Sequence, residues 1–163
     1  MTVSLRAVAA AVLCAAGGLM LATVVPVLFG WSSSIVLTGS MRPAVEPGDV
    51  VVTSPLRADR IRGGSVIRFH VPGRPGRAVL HRIVEVTDDG LLITKGDANA
   101  TADRTPVPSE AVTGVGRWRV PYIGLPVVWW IEGDYPRVVV TAVALLGTGA
   151  LLTRSRRSGR RPS

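Results

Sequence analysis

Two apolar runs bracket a middle in which short hydrophobic stretches alternate with turn residues. No residue between Arg6 and Arg42 is charged, and 7–31 is almost wholly apolar with small residues scattered through it. A helix of about 20 such residues spans a bilayer. The run also exceeds the apolar core of a cleavable secretory signal, which favours a retained transmembrane anchor. The second run, 138–153, is slightly short for a span, but Arg137 and Arg154 flank it and would extend it by snorkelling. Five arginines follow it, and the positive-inside rule keeps such a tail in the cytoplasm. The predicted organisation is therefore a short cytoplasmic start and anchor (1–31), an extracytoplasmic domain (32–137), a second transmembrane helix (138–153) and a basic cytoplasmic tail (154–163).

The middle segment reads as mainly β, because its first two thirds carry no 3.6-residue periodicity. Strands are expected at 50–53 after Pro47-Gly48-Asp49, at 65–70 after Gly63-Gly64, and at 78–86 after a Pro/Gly/Arg loop. A further strand at 91–95 follows Asp88-Asp89-Gly90, a strong hairpin signal. Residues 71–77 read as a flexible loop within this domain. Trp129 and Trp130, with Tyr122 and Trp118, suit an aromatic belt at a bilayer surface, although Trp118 suits a core equally well.

Charge narrows the function classes. The net charge of +8 first suggests a nucleic-acid partner, but Arg6 and the five tail arginines carry most of it. Residues 31–137 hold 13 basic and 11 acidic side chains, close to balance, so no nucleic acid is expected. The lone Cys14 lies in the first apolar run, which excludes an intramolecular disulfide and leaves it without a basic partner for thiol chemistry. No His/Cys cluster with metal spacing and no phosphate-cradling glycine loop is present, so no metal or cofactor is expected.

With two histidines and one lysine, the choice of general base is short. His81 lies in the strand 78–86, and counting back from the Asp-Asp-Gly turn puts it across from residues 96–98. Directly opposed residues have Cβ atoms about 4.5 to 5.5 Å apart. His81 thus comes near Asp97 and the start of the loop carrying Asp103, and either carboxylate could orient the ring. A serine hydroxyl needs such a positioned base, and the best serine is Ser40, in Thr38-Gly39-Ser40-Met41-Arg42-Pro43 just after the first apolar run. Gly39 leaves room for an approaching strand, and the Thr38 hydroxyl could help hold an oxyanion. Lys95 and His70 are better read as turn or surface residues, and Asp49 as the cap of its turn.

Three strings then carry a resemblance. TGSMRP followed by EPGDVVV resembles the serine box of signal peptidase I, LHRIVEV resembles the next box with histidine in place of lysine, and ITKGDANATADR resembles the acidic box. They occur in family order, and the similarity runs over about 34–124. The resemblance implies a compact antiparallel β catalytic domain flanked by N- and C-terminal transmembrane helices. It implies Ser40 as nucleophile, His81 as general base and Asp103 in the catalytic set. Asp97 becomes a supporting acidic residue, and Ser40 with Thr38 the oxyanion site. Threonine at 38 departs from the commoner serine. The implied activity is that of a serine endopeptidase releasing secreted preproteins from their signal peptides at a bilayer, without cofactor. A prokaryotic plasma membrane is expected, with the endoplasmic reticulum as the alternative. The competing reading is a noncatalytic membrane-anchored β domain that binds or assembles cell-surface proteins.

Overall fold

The computed structural model describes residues 4–55, 61–71 and 78–158. Helix α1 (Leu5–Val24) is capped by Ser4 and continues as a 3₁₀ turn, Val25–Phe29, that Gly30 ends at a φ of 78°. Leu5–Phe29 is the one stretch among the described residues that is both long and apolar enough to cross a membrane. Six antiparallel strands follow in sequence: β1 (Ser32–Ile35), β2 (Val50–Ser54), β3 (Val66–His70), β4 (Ala78–Val86), β5 (Leu92–Lys95) and β6 (Val112–Val120). They form one sheet in the order β1-β2-β6-β3-β4-β5. Helices α2 (Leu125–Glu132) and α3 (Tyr135–Ser158) close the described chain, and α3 packs on both α2 and α1.

The four expected strands are present to within a residue at each end. The anticipated turn is also present: Gly90 has a φ of 76°, and Thr87 bonds Leu91 through both its backbone N–H and its hydroxyl. The expected loop at 72–77 lies outside the described residues, as does the end of the basic tail at 159–163. The second apolar run lies within α3, which begins three residues before it, at Tyr135. Its apolar part, Tyr135–Ala150, is shorter than a typical span.

Strand alternation builds two cores. Ile67 and Phe69 of β3 point to one face, where Ile83, Leu92, Val107, Val112 and Val115 join them. Val66 and Leu80 point to the other face, against Val36 and the buried Met41, Val45 and Val51. The second core holds the chain just after the anchor. Hydrogen bonding also ties the anchor to the sheet, since the Ser33 hydroxyl donates to the Thr23 carbonyl at 2.6 Å. Trp31 and Trp118 pack their rings 5.2 Å apart beside that junction, which leaves Trp118 partly in a contact and partly exposed.

Asp49 does more than cap its turn. Fully buried, it accepts from the Glu46 N–H at 3.0 Å, the Arg119 guanidinium at 3.0 Å and the Tyr122 N–H at 3.3 Å. The last bond helps hold Tyr122 at a φ of 64°, where the chain turns from β6 towards α2. Asp49→Ala therefore leaves backbone donors unpaired and should destabilise the fold by about 2–4 kcal/mol. Arg119→Ala removes only a half-exposed partner and should cost under about 1 kcal/mol. Denaturant unfolding in detergent micelles compares the two, and equal losses would assign the role to the ion pair.

Candidate active site

Ser40 sits in a 3₁₀ turn, Gly39–Met41, entered from the extended Thr38. Met41, 1% exposed, is sunk in the second core and fixes the turn from below. From the other side the Ala98 N–H donates to the Ser40 carbonyl at 2.9 Å. That approach requires glycine at 96, where an added Cβ would lie 2.6 Å from the same carbonyl oxygen. The backbone around Ser40 is thus held by one core and one loop.

The loop after β5 also reaches the histidine. His81 is buried, with the Phe69 ring edge-on to it at 6.3 Å between centroids. Its Nε2 lies 3.3 Å from Ser40 Oγ, and its Nδ1 lies 2.7 Å from Asp103 Oδ2. Donation from Nδ1–H to the carboxylate leaves Nε2 unprotonated and able to accept from the serine. The same Asp103 oxygen accepts from the Thr94 hydroxyl at 2.6 Å, and the Asp103 N–H donates to the Thr94 carbonyl at 2.8 Å. Thr94 is fully buried in β5 and holds Asp103 from both its side chain and its backbone.

Asp97 is placed elsewhere. It receives a two-pronged bond from Arg82, Nε at 2.9 Å and Nη2 at 2.7 Å, and Arg82 Nη1 donates to the Gly64 carbonyl at 2.9 Å. The hydrogen bond and charge of Asp97 raise the Arg82 pKa against the opposing effect of burial, so the guanidinium stays charged. Asp97 therefore pins the start of the 96–103 loop to β4 rather than touching His81. Lys95 lies opposite Arg82 in the register and borders a depression with Pro43 and Asp97. His70 is exposed at the end of β3, and Cys14 is exposed on α1. Among the described residues no three His, Cys, Asp or Glu side chains converge as a metal site would require.

A cleft of about 480 Å³ opens beside Ser40, with residues 34–38 on one wall and Ala78, Val79, Leu80 and Arg68 on the other. Thr38 lines it, exposed, two residues before the serine. Residues 78–81 of β4 pair with β3 on one side only, since β5 begins its pairing at Arg82. The sequence reading missed Thr94, Gly96 and Arg82. Their signals were present: a β-branched hydroxyl and a glycine two residues apart, and an arginine directly after the histidine.

A serine, histidine and aspartate bonded in line beside a cleft is the arrangement by which hydrolases attack acyl groups through a serine. Relatives sharpen this. The signal peptidase complex catalytic subunit SEC11C of Rattus norvegicus is 34% identical over 131 residues, covering 74% of this chain and 67% of that protein. The putative catalytic subunit SEC11B of Homo sapiens is 32% identical over 140 residues, covering 78% and 82%. Signal peptidase I W of Bacillus subtilis is 38% identical over 91 residues, covering 53% and 47%. No family model matches the chain. The chain belongs to the signal peptidase family, and it is a peptidase.

If Thr94 positions Asp103 through its hydroxyl, Thr94→Val should lower kcat for a preprotein by about tenfold, the worth of one hydrogen bond to a charged acceptor. Thr94→Ser should restore most of that loss. Failure of serine to rescue, with both variants equally folded by circular dichroism, would reduce Thr94 to a packing residue.

Proposed function

We propose that the protein is a membrane-bound serine endopeptidase of the type I signal peptidase class, cleaving signal peptides from secreted preproteins on the extracytoplasmic face. The observation that carries this reading is the Ser40–His81–Asp103 line, 3.3 and 2.7 Å between successive atoms, close behind an apolar anchor. The first distance is long for a bond to a hydroxyl, as is common before substrate arrives.

In this mechanism Ser40 Oγ attacks the scissile carbonyl while His81 Nε2 takes its proton. Asp103 keeps the ring in the productive tautomer and stabilises the imidazolium. The Ser40 backbone N–H, with the Thr38 hydroxyl, holds the oxyanion, each donor contributing roughly 3 kcal/mol. His81 then delivers the proton to the leaving amine, and the mature protein departs. Water, deprotonated by the same histidine, hydrolyses the acyl-enzyme and frees the signal peptide. The open edge of β4 at 78–81 suits an extended substrate strand, whose main chain pairs with it. The largely aliphatic walls of the cleft suit small apolar side chains next to the cleaved bond.

The topology follows the same reading. Residues 1–31 form the cytoplasmic start and anchor, 32–137 the extracytoplasmic peptidase domain, 138–153 a second membrane crossing and 154–163 a cytoplasmic basic tail. In support, Leu28, Phe29, Val139, Val140 and Leu146 are all strongly exposed, as lipid-facing side chains are. Trp130 and Tyr122, also exposed, fit the headgroup layer. The α3 helix of 24 residues is about 36 Å long, enough to cross a bilayer core. The membrane is a prokaryotic plasma membrane, the endoplasmic reticulum being the other possibility.

Ser40→Ala should reduce preprotein cleavage in detergent or vesicles by at least about ten-thousandfold. Processing at the undiminished rate would remove Ser40 from the nucleophile's role, and no processing even by the wild type would favour a noncatalytic β domain. Asp103→Asn should cost about a thousandfold or more by disturbing the His81 tautomer. Asp97→Asn should cost about tenfold, acting only through the Arg82 anchor of the loop. The opposite order in single-turnover rates would make Asp97 the orienting carboxylate.

A further inference from the structure

Arg68 is out of character with its surroundings. Of the eleven described residues that line the cleft beside Ser40 it is the only charged one, the others being aliphatic side chains, serines, a threonine and a methionine. It stands at the middle of β3, directly across from Leu80, the residue that precedes His81. Ile67 and Phe69 on either side of it enter the first core, so its own side chain rises from the opposite, cleft-facing side of the sheet.

Its bonding leaves the charge unspent. Nη1 donates to the Thr113 hydroxyl at 3.2 Å, and that hydroxyl donates in turn to the Arg68 carbonyl at 3.1 Å. These two contacts orient the stem without neutralising the head. Among the described residues no carboxylate pairs with Arg68, whereas Arg42, Arg82, Arg119 and Arg137 each have one. A partly buried guanidinium offers a fork of N–H donors matched to a carboxylate. In a cleft with aliphatic walls it would also reject a second cation.

We propose that Arg68 is a specificity determinant that selects an acidic substrate side chain close to the scissile bond. The proposal rests on the peptidase reading above and names a subsite within it. An extended substrate advances about 3.3 Å per residue, so a group across from Leu80 meets a position within about three residues of the bond cleaved next to His81.

The test uses the full-length protein in detergent micelles with preprotein-derived peptides. One uncharged reference peptide is compared with peptides carrying Glu, Gln or Lys singly at each of three positions on either side of the scissile bond. The readout is the Glu-to-Lys ratio of kcat/KM at each position, which is internal to each variant and insensitive to the fraction folded. Wild type should favour Glu by about tenfold at one position. Arg68→Gln should bring that ratio to near one, and Arg68→Glu should invert it. No cleavage of the reference peptide would overturn the peptidase reading itself. Cleavage of the reference with a flat ratio at every position, or a preference surviving in Arg68→Gln, would overturn this proposal alone. Activity that instead needs anionic lipid through Arg68, with no charge preference in the peptide, would assign the arginine to the bilayer and overturn it as well.

Discussion

The pairing of β4 with β5 governs everything at the site, because it decides which side chains share a face of the sheet. Arg82 pairs with Lys95 and Ile83 with Thr94, which carries His81 and Thr94 on one face and Arg82 on the other. Slip by one residue would exchange the faces, burying a guanidinium where the imidazole belongs. The Asp-Asp-Gly turn fixes one end of this register, and the irregularity between Ile83 and Glu85 absorbs the residue by which the strands would otherwise drift.

The same alternation separates two neighbouring carboxylates. Leaving β5, the chain places Asp97 in step with Lys95, on the side of Arg82, and the two form a two-pronged ion pair. Only after the turn at 96–99 does the chain fold back, so that Asp103 bonds Thr94 on the side of His81. One acid therefore holds the loop and the other meets the ring. With both carboxylates on the ring the loop would have no fixed origin, and with both on the arginine the ring would have no fixed tautomer.

This also marks where the sequence is legible. Strands β2 to β5 follow from hydrophobic stretches bounded by Gly, Pro and Asp, and the hairpin count brings His81 to the acidic loop from local information alone. That count leaves Asp97 and Asp103 both within reach of the ring, because it measures distance along the ladder and ignores which face a side chain leaves from. β1 is three serines and an isoleucine with no strand signal of its own, and it forms because β2 supplies the ladder. β6 is broken by Gly114 and Gly116, whose smallness answers the close approach of Thr53 and Val66, a tertiary demand. The 41-residue separation of Ser40 and His81 is likewise closed only by tertiary packing.

Anchoring and specificity converge on the segment between α1 and Ser40. The Ser33 bond to Thr23 makes β1 an extension of the anchor, and Val36 continues the same connection through bonds with Gly48 and Asp49. That segment is also one wall of the cleft. A force on the anchor therefore reaches the wall facing Arg68 through hydrogen bonds rather than through a slack linker. Since a signal peptide core lies in the bilayer, a short rigid path confines the serine and the cleavage site to one thin layer and raises their effective concentration. Such confinement favours cleavage of any peptide emerging at that depth. If Arg68 discriminates among them, it does so from the opposite wall, where it is the one charged side chain among the described residues that line the cleft.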